Sequence, residues 1–142
     1  MSKHQKIEAF VDSLNLSGSS RDRRYAGYFA CFNSGLYYEA HDVLEDLWLP
    51  TRKGPNDLFY KGLIQLAGAF VHLQKGRLKP SDALFRLASE NLARYPVRHE
   101  GLEVASVLQW IEDWRRALAA SEFTRNPLTE SLLPVPQILI TD

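Results

Sequence analysis

The placement of proline constrains this chain more than any other feature. A proline ring holds φ at about −65°, removes a backbone donor and clashes with the preceding helical turn, so it suits a helix start and not a helix interior. All seven prolines, Pro50, Pro55, Pro80, Pro96, Pro127, Pro134 and Pro136, fall between, or in the first turn of, stretches with helical periodicity. Ile7, Phe10, Val11 and Leu14 recur at i, i+3, i+4 and i+7 and predict a helix over 3–14, with a flexible connector at 15–20. Ser20 is read as the cap of a second helix carrying Tyr25, Tyr28, Phe29 and Phe32 and ending at Asn33-Ser34-Gly35. A third helix is expected over 37–48, stopped by Pro50.

The fourth predicted helix follows Asn56, its expected N-cap, and runs to Lys75 with Gly76 beyond its end. It is apolar on two sides, through Phe59, Leu63, Leu66, Phe70 and Leu73 on one and Tyr60, Ile64, Ala67 and Val71 on the other. Such a helix belongs in the middle of a bundle. A fifth, over 80–95, is expected to bury Leu84, Leu87, Ala88 and Leu92, and a sixth, over 101–120, has Val104, Val107, Leu108, Ile111, Trp114 and Leu118 on one face. After Phe123 the periodicity stops, and the apolar stretch 132–140, interrupted by two prolines, is predicted to lie extended across the bundle or a partner subunit. With no convincing strand pair, the expected fold is all-α. It is one compact bundle of about six helices over 1–142, with an extended C-terminal tail within 123–142.

A chain of 142 residues can close one core without staples. Lys+Arg and Asp+Glu both number 17, which leaves no electrostatic footprint for nucleic acid or an anionic membrane. No apolar stretch is long enough for a bilayer, and the N-terminal run, broken by Glu8 and Asp12, does not read as a signal peptide. A cytoplasmic location is expected. Cys31 stands alone, which excludes an internal disulfide and a multi-cysteine zinc site; within an apolar helix it reads as a buried, inert thiol. The apolar tail, and Trp110 off the main stripe of the sixth helix, would suit a homodimer.

Chemistry concentrates on the third and fourth helices. At 100° per residue, Glu39, Asp42 and Asp46 share an arc read as a solvated acidic face, and Ala40, Val43, Leu44 and Leu47 form the core arc. On the shoulder between them stand Tyr38, His41, Glu45 and Trp48 at i, i+3, i+7 and i+10. On the fourth helix Gly62, Gln65, Ala69 and His72 share an arc, and Gly62, Gly68 and Ala69 leave room for a close neighbour. If the two helices are antiparallel neighbours, His41 and Glu45 face Gln65 and His72.

Three readings fit this constellation. One is a satisfied buried polar network that pins helix register. Another is a metal site with His41, Glu45 and His72 as ligands for zinc, iron or manganese and water in an open position, the usual setting for hydrolysis by an activated water. The last is a metal-free pocket for a small molecule, walled by Tyr38 and Trp48, with Glu45 and His72 as a proton-transfer pair. These residues do not decide whether the protein is an enzyme. Arg52-Lys53-Gly54 reads as a solvated turn and Arg21, Arg23 and Arg24 as helix surface; His4 is placed on a frayed helix end and His99 in a loop after Pro96, and no nucleophile elbow or triad spacing is present.

Two blocks carry a family resemblance. The first is Phe32-Asn33-Ser34-Gly35-Leu36-Tyr37-Tyr38-Glu39-Ala40-His41-Asp42-Val43-Leu44-Glu45-Asp46-Leu47-Trp48, and the second is Tyr60-Lys61-Gly62-Leu63-Ile64-Gln65-Leu66-Ala67-Gly68-Ala69-Phe70-Val71-His72. In this order and spacing they resemble the small prokaryotic helical family called domain of unknown function 309, over about 25–95, with Asp42 where the family pattern has glutamate. The resemblance implies a compact all-α bundle and carries over Glu39, His41, Glu45, Trp48, Gln65 and His72 as motif residues. It implies no activity. Asn33, Gly35, Tyr37, Glu39 and Ala40 with Pro50, echoed by Ala83, Ala88 and Tyr95-Pro96, also resemble parts of a tetratricopeptide repeat. That likeness implies a non-catalytic alternative, a helical-hairpin scaffold offering a groove to a protein partner.

Overall fold

The computed structural model describes every residue except Ser17 and Ser19, so part of the connector expected at 15–20 lies outside the described residues. Among the described residues six α-helices follow in order: α1 (Lys3–Ser13), α2 (Arg23–Asn33), α3 (Tyr37–Trp48), α4 (Asp57–Gln74), α5 (Leu78–Leu92) and α6 (Val104–Ala120). A single 3-10 turn, Leu49–Thr51, carries Pro50 out of α3. The fold is an all-α bundle with an extended C-terminal tail.

Helix α4 is the central element, as its two apolar sides predict: Phe59, Leu63, Leu66, Phe70 and Leu73 are all fully buried. The Phe70 ring meets Phe32 of α2 at 5.3 Å, Tyr37 of α3 at 4.8 Å, Phe85 of α5 at 5.3 Å and Trp114 of α6 at 5.0 Å. One ring thus joins four helices to the fifth, and aromatic pairs at these spacings add about 0.5–1.5 kcal/mol each beyond the area they bury. Helices α3 and α4 are antiparallel: Trp48 at the end of α3 donates its indole N–H to Asp57 at the start of α4, at 2.7 Å. Helix α5 returns along α4, with Ser81 donating to the Ala69 carbonyl at 2.9 Å and Asn91 reaching Gln65. The close approach is made at Gly62, where an added Cβ would sit 3.1 Å from Leu92 Cγ.

Several helix ends differ from expectation for local reasons. The cap of α2 is Asp22, whose carboxylate accepts from the Arg24 N–H, in place of Ser20. Asn56 is the N-cap residue of α4 but its side chain makes no capping bond; its Oδ1 lies 2.7 Å from His99 Nε2, and Asp57 accepts from the Lys53 N–H. Pro80 sits in the first turn of a helix that begins at Leu78, where its missing N–H goes unused. A two-residue antiparallel pair, β1 (Arg98–His99) and β2 (Leu102–Glu103), precedes α6 where no strands were expected. Its turn, Glu100 at φ 49° and Gly101 at φ 71°, has the paired left-handed geometry that suits a two-residue hairpin.

The acidic side of α3 is covered, contrary to its reading as a solvated face. Asp46 accepts from Arg24 Nη1 of α2 at 3.0 Å and lies 2.8 Å from His4 Nδ1 of α1, while Lys3 lies between Asp42 at 3.6 Å and Glu45 at 3.3 Å. His4 is therefore a docking residue, together with Ile7 and Val11, which pack on Val43. The tail lies across its own bundle. Asn33 clasps Ile138 through both backbone groups, at 2.8 and 2.7 Å, and Ile138 is buried. Trp110 lines a cavity with Leu133, Pro134, Val135 and Pro136, so the two apolar features that suited a dimer meet each other.

Candidate functional site

A cleft of about 340 Å³ opens between α3, α4 and α5, lined by Tyr38 and His41 from α3, Ile64, Gln65, Gly68, Val71 and His72 from α4, and Leu84 from α5. Its existence follows from the helix spacing. Residues 65, 68 and 72 fall on one face of α4, and Gly68 leaves a floor without side chain beside Leu84, whose Cδ1 an added Cβ would meet at 3.1 Å. Tyr38 stands over His41 with ring centroids 6.0 Å apart and is 56% exposed, which places it at the mouth.

The polar groups of this cleft are incompletely used by the protein. His41 Nδ1 and His72 Nδ1 are both buried, and neither has a hydrogen-bond partner among the described residues. His41 Nδ1 lies 3.3 Å from Asp42 Oδ1, close enough for electrostatic attraction but not aligned as a hydrogen bond, and its Nε2 lies 3.5 Å from Glu45 Oε2. Burial holds the His72 pKa below its ordinary value, and the charges of Arg77 and Lys75 push it the same way. His72 is consequently a neutral imidazole at pH 7, with one ring nitrogen a donor and the other an acceptor. Gln65 is oriented from outside: Asn91 Nδ2 donates to its Oε1 at 2.8 Å, which fixes the amide and leaves its N–H groups available.

Of the residues singled out in the sequence, Tyr38, His41, Gln65 and His72 line one cleft. Glu45 stands outside it, its Oε1 held by Lys3 and its Oε2 facing His41 Nε2. The structure therefore does not gather His41, Glu45 and His72 as a ligand set, and among the described residues no group of three or more His, Cys, Asp or Glu is placed to hold a metal ion. Nor are Glu45 and His72 paired across the cleft for proton transfer.

Trp48 is not a wall of this cleft. It lines a separate basic depression with Arg52, Lys53, Asp57 and Lys61, and the Arg52 guanidinium lies 5.6 Å from its ring centre. Glu39 sits in the first turn of α3, where its charge faces the helix N-terminus and adds to the burial that pushes the Cys31 thiol up to about 11. Cys31 is buried and protonated, and so not a nucleophile at pH 7. Two contributors lie beyond sequence reasoning: Asn91, which sets the Gln65 amide, and Leu84, which closes the floor. Both come from α5, and only the packing of α5 on α4 brings them to the site.

Comparison with known proteins bears on the motif blocks. Residues 25–84 match the family described as Domain of unknown function (DUF309). This is the family that the two sequence blocks resemble, and the matched stretch contains every lining residue of the cleft. It ends at Leu84, before the C-terminal part of α5 and all of α6. An uncharacterized protein of Aquifex aeolicus (strain VF5) is 23% identical over 108 residues, which are 76% of this chain. The matched region is 32% of that relative, so the chain spans about a third of its length. No solved structure gives a significant match. No helix among the described residues is long and apolar enough to cross a membrane.

Proposed function

We propose that the cleft between α3, α4 and α5 is a binding pocket for a small, largely apolar molecule, hydrogen-bonded by His41, His72 and Gln65. The observation that carries this reading is the pair of buried Nδ1 atoms without a partner in one cavity. A buried polar atom left unpaired costs about 1–3 kcal/mol, and a structural network would have satisfied both imidazoles within the protein. The volume, about 340 Å³, lies at the small end of the range for ligand pockets. Ile64, Val71 and Leu84 supply the apolar lining, and the neutral His72 supplies a donor or an acceptor as the ligand requires. Binding places a ligand beside an uncharged imidazole, a group suited to proton transfer at neutral pH.

Long-range ¹⁵N–¹H spectra of the histidine rings, recorded against a library of small organic fragments, test the proposal. A fragment that shifts the His41 and His72 ring nitrogens together while leaving His4 and His99 unmoved supports it. Ring spectra unmoved by every fragment, with both Nδ1 atoms showing hydrogen bonds to the protein, would leave the cluster as a structural pin and favour the scaffold alternative.

A further inference from the structure

The charges around the cleft are separated along its length. Gln65 and His72 lie seven residues apart on α4, which at the helical rise is about 10 Å. Because α3 runs antiparallel to α4, His41 lies toward the Gln65 end and Tyr38 toward the His72 end. At the His41 end stand two carboxylates, Asp42 Oδ1 at 3.3 Å from Nδ1 and Glu45 Oε2 at 3.5 Å from Nε2, sharing one lysine, Lys3, whose side chain is 64% exposed. At the His72 end stand Lys75 and Arg77, the two cations whose charges bear on His72. Among the described residues no acidic side chain is within ion-pair distance of either. The apolar lining is Ile64, Gly68, Val71 and Leu84.

We propose that the ligand of this pocket is dipolar. Its carboxylate or comparable anionic group lies toward His72, Lys75 and Arg77; its ammonium or other donor group lies toward His41, Asp42 and Glu45; an aliphatic segment spans the middle. This rests on the reading of the cleft as a binding pocket and adds the chemical class of what it takes. An electrostatic gradient of this kind selects orientation as well as ligand, because reversing the molecule sets like charges together at both ends. An anion at the His72 end completes the hydrogen bonding of Nδ1 as a donor, and an ammonium at the other end relieves the excess of carboxylate around His41.

The test uses the intact chain and four probes of matched length: 5-aminopentanoate, pentanoate, pentylamine and pentan-1-ol. Affinities come from calorimetry at low salt, and the site is verified by the His41 and His72 ring nitrogens. The expected result is that 5-aminopentanoate binds about tenfold tighter than either singly charged probe. Glu45→Gln should remove most of its advantage over pentanoate, and the double variant Lys75→Ala, Arg77→Ala most of its advantage over pentylamine. These side chains are at least partly exposed, so the variants should fold. Equal binding of the four probes, all shifting both histidines, overturns the dipolar class and leaves the pocket standing. Failure of all four to move either histidine, with no other fragment doing so, overturns the class and the pocket together.

Discussion

Replacing His72 by leucine separates a functional pocket from a structural network. The side chain lies at the end of α4, its Nδ1 buried and unpaired and its pKa lowered by burial and by Arg77 and Lys75. An orphaned buried polar atom costs about 1–3 kcal/mol. Because the cleft is open, the low end applies, and leucine beside Val71 and Leu84 recovers apolar contact. The expected gain is about 1 kcal/mol at neutral pH, or a rise of about 2–4 °C in Tm for a chain near this size.

The pH dependence follows from the sign of the shift. Above the unfolded value of 6.5 both states of the wild-type protein hold His72 neutral. As pH falls below it the unfolded chain takes up a proton that the folded one resists, so wild-type stability declines until the folded pKa is passed. Leucine binds no proton. The variant's advantage is therefore larger at about pH 5.5 than at about pH 8, as read by urea unfolding at both values. A variant less stable than wild type by about 1 kcal/mol or more, or an advantage that shrinks as pH falls, would refute the reasoning.

Gly68→Ala should raise stability by up to about 1 kcal/mol through helix propensity and weaken fragment binding, since the new methyl meets Leu84 at 3.1 Å; calorimetry and chemical denaturation check both. His4, whose hydrogen bond to Asp46 raises its pKa, should stabilise the docking of α1 fully below pH 6.5 and lose that contribution as pH rises through the folded value. Hydrogen exchange in α1 should accelerate over that interval in the wild type and show no such step in His4→Ala. Asn33→Ala removes both bonds to Ile138 and should cost about 1–2 kcal/mol, with loss of exchange protection at the Ile138 amide.

Legibility from sequence followed the range of the interactions involved. The bounds of α3, Tyr37–Trp48, and the core stripe of α4 were readable because proline punctuation and 3.6-residue periodicity are local. So was the convergence of Tyr38, His41, Gln65 and His72, which needs only two periodic faces and an antiparallel turn. The partnership of Asp42 and Asp46 was not readable, because a helical wheel shows an acidic arc but not that Lys3, His4 and Arg24 return to cover it. Glu45 was misplaced for the same reason: its spacing sets it beside His41, and a lysine 42 residues away draws its carboxylate outward. Trp48 shares the wheel position of the site residues, yet Asp57 holds its indole at the other end of the helix pair. The hairpin before α6 had one local signal, Glu100-Gly101, but strands of two residues offer no alternation to read.

The central claim is that the two unpaired imidazoles await a ligand, and a high-resolution crystal structure of the protein as isolated from its own cell tests it most directly. Ordered density is expected in the cleft, within hydrogen-bond distance of both His41 Nδ1 and His72 Nδ1 and touching Ile64 or Leu84. An empty, collapsed cleft in which both Nδ1 atoms bond to protein groups would contradict it.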